Sequence, residues 1–129
     1  MKTVLIADDN PASRELLQSA LGPLSVRVIE AVNGEEALNL IQESVPDLVL
    51  LDIQMPSLNG FAVLEALRRG PAGKVRAVAI TAMAMENDRE RVLAAGFDGY
   101  ISKPISISEF RTQVQRWLDH DARADSAEA

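Results

Sequence analysis

VLIADDN, residues 4–10, is the stretch on which the fold turns. Four apolar residues, Val4 to Ala7, give way at once to Asp8 and Asp9. The same shape returns in LVLLDIQMP, residues 48–56, where Asp52 closes a second apolar run. Apolar runs without alternation are the pattern of parallel strands covered on both faces. Residues 26–29, 75–80 and a shorter stretch around 100–101 read the same way, which makes five strands.

Helical patterns fill the gaps. Asn10 is placed to cap a helix that opens on Pro11, where a missing N–H is harmless. Its apolar face is Leu16, Leu17, Ala20 and Leu21, and Gly22-Pro23 ends it. Residues 35–44 give a second helix with Ala37, Leu40 and Ile41 inward, and residues 60–69 a third with Phe61, Leu64 and Leu67 inward. Residues 87–95 give a fourth, closed by Gly96. Ser106 with Glu109 marks the start of a fifth, whose stripe is Ile107, Phe110, Val114 and Trp117. Five strand–helix units predict an α/β fold with a doubly wound parallel sheet. There is no internal repeat and no linker, so one domain is expected over residues 1–119. An acidic tail over residues 120–129 is expected to be disordered.

Composition narrows the chemistry. The 129 residues suffice for a core without staples. With no cysteine and one histidine, His120, disulfide scaffolds, thiolate or multi-histidine metal sites and cysteine nucleophiles are excluded. A net charge of −6 without a basic run disfavours nucleic acid. No apolar run reaches the roughly 20 residues that span a bilayer, and the first residues are not a secretory signal. The chain reads as cytoplasmic, with no membrane partner.

In open α/β sheets, ligands bind beyond the carboxyl ends of the strands, where strand order reverses. In a 2-1-3-4-5 order the first and third strands are neighbours there, and Asp8, Asp9 and Asp52 converge in one crevice. Two carboxylates about 4–5 Å apart repel by roughly 4 kcal/mol at an effective dielectric near 20. Three make a proton or a cation nearly obligatory. Mg²⁺ suits such oxygen ligands when phosphate completes its shell. Thr81 follows the fourth strand, a hydroxyl donor on a loop, and Lys103 follows the fifth in YISKP. Carboxylate, divalent cation, hydroxyl and ammonium together make a phosphoryl-transfer site. Taken singly, each has a plainer use: the aspartates as turn residues or caps, Thr81 as structure, Lys103 as a solvated charge. Tyr100 alone reads as a core or rim aromatic, and Met83 and Met85 as packing residues.

ADDN, LVLLDIQMPSLNG, AVAITAMA and AAGFDGYISKP together resemble the receiver domain of bacterial two-component response regulators, over residues 3–118. The stretch TAMAMENDRERVLAAGFDGYISKPIS, residues 81–106, is similar to receiver-only cell-cycle regulators of the DivK type. The resemblance implies a five-stranded flavodoxin-like receiver fold with five helices. It implies that Asp52 is the phosphoacceptor, and that Asp9, Asp52 and the backbone carbonyl of Gln54 hold Mg²⁺, with Asp8 supporting the metal through water. Thr81 would bond a phosphoryl oxygen, Lys103 would pair with it, and Tyr100 would change position with phosphorylation. The Lys103–Pro104 bond would be cis. Phe97 departs from the smaller residue common between Gly96 and Asp98, and Gln54 and Met83 occupy variable positions that influence phosphoryl lifetime.

The function implied is a single-domain response regulator, a phosphoacceptor and not an enzyme with a separate substrate. Its partners would be a sensor histidine kinase or histidine phosphotransfer protein, and a downstream protein on the face of the fourth helix, fifth strand and fifth helix. A monomer is expected, with phosphorylation-dependent dimerisation left open. Met1 and the tapering end fit a complete chain; a receiver from a hybrid kinase or multidomain regulator is the alternative. A small aspartate-nucleophile phosphatase would want a D-x-D pattern on the first strand and a cap. A flavodoxin-like electron carrier would be repelled by ADDNPAS at its cofactor phosphate. A degenerate scaffold receiver would lack the acceptor, Thr or Lys.

Overall fold

The computed structural model describes residues 1–55, 58–71, 73–82 and 88–119. Strands β1 (Thr3–Ala7), β2 (Arg27–Ala31), β3 (Leu48–Asp52), β4 (Arg76–Thr81) and β5 (Gly99–Ser102) alternate with helices α1 (Pro11–Leu21), α2 (Gly34–Ser44), α3 (Gly60–Arg69), α4 (Asp88–Ala95) and α5 (Ile107–Asp119). The sheet order is β2-β1-β3-β4-β5, with every neighbouring pair parallel. The expected order therefore holds, and β1 and β3 lie side by side, Ala7 opposite Leu51.

The unbroken apolar strands feed two cores. Leu5, Ala7, Val49, Leu51, Ala77 and Ala79 face α2, α3 and α4. Val4, Ile6, Leu48, Leu50, Val78 and Ile80 face α1 and α5. Successive side chains point to opposite faces, so a strand buried on both sides has no polar position to spare. At the sheet edge, β2 departs from that pattern and exposes Arg27 and Glu30. Charges on an edge discourage pairing with another chain.

Asparagine starts the first three helices. Asn10 accepts from the N–H groups of Ala12 and Ser13 at 2.9 and 3.3 Å. Asn33 accepts from Glu36 N–H at 2.8 Å, while Glu36 accepts from Val32 N–H at 3.0 Å. Asn59 accepts from Ala62 N–H at 3.0 Å. Such caps satisfy donors that a helix start leaves open.

Several expectations are corrected. The second strand runs Arg27–Ala31 instead of 26–29, and the fourth ends at Thr81 instead of residue 80. Leu16 is 40% exposed, because α1 buries a narrow face of Leu17, Ala20 and Leu21. Ile107 is exposed and Leu118 takes its place in the α5 core stripe with Phe110 and Val114. As expected, α1 ends before Gly22-Pro23; a 3-10 turn over Gly22–Leu24 follows it, and Ser25 takes the left-handed conformation with φ 55°. Gly96 does close α4, at φ +114°. The expected helix start at Asn87, Met83 and Met85, and the expected tail with His120 lie outside the described residues.

A polar clamp ties the amino end of the sheet. Arg68, at the end of α3, donates to Gly73 O at 2.9 Å, to Val75 O, to Gly96 O at 3.0 Å and to Asp98 Oδ2 at 3.0 Å. Asp98 Oδ2 also accepts from Ala77 N–H at 2.9 Å. One guanidinium thus joins α3 to the segments entering β4 and β5, in the planar, multi-donor mode that suits Arg. No helix among the described residues is long and apolar enough to cross a membrane.

Candidate functional site

The adjacent ends of β1 and β3 deliver the carboxylates. Oxygens of Asp8, Asp9 and Asp52 all lie within 4.8 Å of one another. Asp8 is 1% exposed, Asp52 is buried and Asp9 is exposed at the mouth. Asp8 Oδ1 accepts from Asn10 N–H at 2.9 Å, and Asp52 Oδ1 accepts from Gln54 N–H at 2.9 Å. The start of α3 crowds the same strand end. A Cβ on Gly60 would come within 2.9 Å of Asp52 O and 2.8 Å of Ile53 Cα, so only glycine permits that approach.

Lys103 reaches in from the far side. Its Nζ donates to Asp8 Oδ2 at 3.0 Å, Asp52 Oδ2 at 3.3 Å and Ser13 Oγ at 3.5 Å. Its backbone N–H donates to Thr81 O at 2.9 Å, and the Lys103–Pro104 bond is cis. Thr81 is fully buried and pairs with Ser102. It is the last residue of β4, not the loop residue expected.

The charges act on one another. Burial pushes the Asp52 carboxyl above its ordinary range, and the charge of Asp8 adds to this. Gln54 N–H and Lys103 pull it back without cancelling the rise. Burial pulls the Lys103 ammonium down, but its hydrogen bond to Asp8 and the charges of Asp52 and Asp8 outweigh this and leave it raised. The ammonium therefore stays charged and neutralises part of a crowded acidic crevice.

Asp8, Asp9, Asp52, Gln54 and Lys103 meet in the crevice, and Thr81 borders it. Tyr100 stands apart, half-buried on β5, in a groove with Arg89, Ile105, Glu109 and Phe110. Burial raises its phenol above 10.0, and the charge of Asp88 adds to the rise. Three nearby residues carry only weak signals in the sequence. Ser13 meets Lys103, and its signal was its place in the first turn after Asn10. Arg14 donates to Asp8 O at 2.7 Å and lies 3.4 Å from Glu30. Asp88 is buried, and its signal was its position four residues before Val92, on the inward face of α4.

Comparison with known proteins matches residues 4–115 to the response regulator receiver domain. The chain is 36% identical over 118 residues to the polar-differentiation response regulator DivK of Brucella anthropi, covering 91% of this chain and 96% of that one. It is 38% identical over 118 residues to the sensor protein GacS of Pseudomonas syringae, covering 88% of this chain but 13% of that protein, so it spans a small part of that relative's length. The receiver domain of the Pseudomonas aeruginosa sensor histidine kinase PA1611, with a magnesium ion coordinated in its active-site cleft, superposes with a TM-score of 0.84 at 30% identity, covering 92% of this chain and 98% of that one. The chain belongs to the response regulator receiver domain family of two-component signalling.

Proposed function

We propose that Asp52 accepts a phosphoryl group from the phosphohistidine of a sensor histidine kinase or phosphotransfer protein, and that the charge so added switches partner binding. The observation that carries this is the buried Asp52 carboxylate with Lys103 Nζ at 3.3 Å and two further aspartates beside it. The P–N bond breaks as a P–O bond to Asp52 forms, and the electron pair leaves with the imidazole nitrogen. Hydrolysis reverses the state, with water bonding to phosphorus as the aspartyl oxygen leaves. The chain serves as a signalling phosphoacceptor.

The donor set fits Mg²⁺, since the three carboxylates supply hard oxygens and Asp9 is open to solvent. Asp9, Asp52 and the Gln54 carbonyl would hold the ion, with Asp8 behind them. Bound there, it supplies charge neutralisation for the phosphoryl oxygens. Lys103 leaves its pairing with Asp52 to meet the new oxygens, and Thr81 supplies a hydroxyl. As Thr81 is drawn toward the crevice, Tyr100 turns inward, and the face of α4, β5 and α5 reports the change to a downstream protein.

The test is incubation with acetyl phosphate and Mg²⁺, followed by intact mass. One phosphoryl group should be gained, and Asp52→Asn should abolish the gain while leaving the fold intact. Equal labelling of that variant would overturn the assignment. The match to GacS favours a second reading, the same chemistry inside a longer phosphorelay protein. Phosphotransfer profiling against purified kinases and phosphotransfer proteins separates the two.

A further inference from the structure

Asp88 is a buried carboxylate that phosphoryl transfer does not use. It is 1% exposed, at the first described turn of α4. Val92, one helical turn later, packs in the core with Ala77, Ala79 and Phe97, and Tyr100 packs against that same cluster. Asp88 therefore faces the sheet on the side where Tyr100 lies. Thr81 projects there too, two residues beyond Ala79 on β4.

Its charge is oriented from outside. Arg91 Nη1 lies 3.5 Å from Asp88 Oδ1, and the Arg91 guanidinium sits 5.8 Å over the Phe61 ring. Phe61 in turn meets Phe97 edge-on, with centroids 6.1 Å apart. Asp88 is a helical residue in the first turn of α4, where a neutral polar side chain would avoid burying a charge. A buried carboxylate here carries a desolvation cost that an uncharged side chain avoids.

We propose that Asp88 is a positioning residue for Tyr100, accepting the phenol O–H when the ring turns inward and so stabilising the signalling state; it rests on the motion of Tyr100 proposed above. A phenol that moves from a solvent-facing groove into the core needs a new acceptor. Asp88 stands one helical turn before Val92, in the cluster that Tyr100 packs against, and a charged acceptor bonds more strongly than a neutral one. The influence of Asp88 on the phenol's acidity is consistent with that proximity. Because anything that stabilises the inward state also tightens ligands that select it, Asp88 should assist phosphoryl binding at Asp52 without touching it.

The experiment is a double-mutant cycle read with beryllofluoride and Mg²⁺. Asp88→Asn keeps the size of the side chain and removes the charge. Its apparent beryllofluoride affinity should fall roughly fivefold. In the Tyr100→Phe background, which has no phenol, the same substitution should change nothing further. NMR signals of Tyr100, the chain's one tyrosine, should shift on beryllofluoride binding in the parent and shift less in Asp88→Asn. An equal effect of Asp88→Asn in both backgrounds would mean that it only supports the helix, and overturns the inference. An unshifted Tyr100 in the parent overturns the switch reading and this inference with it. Should Asp88→Asn fail to fold, Asp88→Ser carries the same cycle.

Discussion

Lys103 Nζ lies 3.3 Å from Asp52 Oδ2, although the residues are 51 positions apart. The same ammonium is 3.0 Å from Asp8 Oδ2. It is the countercharge of the crevice before any other cation arrives, and the stability of the site depends on which charges remain.

Asp52→Asn should stabilise the metal-free protein by on the order of 1 kcal/mol, because a desolvated carboxylate beside Asp8 is replaced by a neutral amide. Asp52 is raised, chiefly by burial, above the ordinary 3.8. The native protein then holds this proton more tightly than the unfolded chain does. Its destabilising contribution is full above the raised value and fades as pH falls through the window down to 3.8. Urea unfolding in EDTA should show the gap between variant and parent narrowing across that window. A gap that is constant with pH would contradict it.

Lys103→Met should destabilise the metal-free protein by about 2 kcal/mol, since Asp8 stays buried without its cation; the figure is reduced because Lys103 is partly exposed. Millimolar Mg²⁺ should raise the melting temperature of this variant more than that of the parent. The raised ammonium also sets a sign at high pH. Its stabilising contribution is whole below the ordinary 10.5 and is lost as pH rises through the folded value, so the variant should lack that alkaline loss. Equal urea midpoints for parent and variant would show that the ion pairs are immaterial.

Val45 follows α2 with φ 42° and ψ 68°, and it is 59% exposed. A left-handed backbone costs an L-residue roughly 1–2 kcal/mol, and β-branching makes it worse. Val45→Gly removes that strain and loses roughly 0.5–1 kcal/mol to the freer unfolded chain. The expected net gain is about 0.5–1 kcal/mol, seen as a higher urea midpoint with unchanged slope. A lower midpoint would mean that the valine side chain contributes packing.

Gly99→Ala should cost about 1–3 kcal/mol by overpacking. A Cβ there would crowd the Trp117 ring, so α5 must shift or the indole must turn. Trp117 is the chain's one tryptophan, and its fluorescence reads the change directly. Unaltered emission with unaltered stability would show that the contact yields freely.

Much of this architecture is legible in short stretches. Residues 48–52 are apolar and end in acid, which places both a buried strand and its chemical end. Asn10 followed by Pro11 announces its helix. Less visible are features set by neighbours. Leu16 and Leu17 are equivalent in hydrophobicity, and only the placement of α5 and the sheet decides that Leu17 is buried. Asn33 and Asn59 cap their helices as Asn10 does, yet no proline marks them. Asp88 sits in a run of charged residues, MENDRER, where its burial is masked by exposed neighbours. Thr81 reads as a loop residue because a hydroxyl seldom ends an apolar run, although register with Ser102 keeps it in the strand.

Were α4 to move when the switch turns, the grip of Arg68 on Gly96 and Asp98 would make it a lever with its fulcrum at one end. Those bonds fasten the segment that leaves α4, while the Asp88 end lies toward the crevice. A beam held at one end answers a tug at the other by swinging. An eight-residue helix is about 12 Å long, so a swing of about 10° about that anchor would carry its Asp88 turn roughly 2 Å and its Ala95 end almost nowhere. A partner seated over the Asp88 turn would feel the full stroke, and one seated over Ala95 would feel little of it.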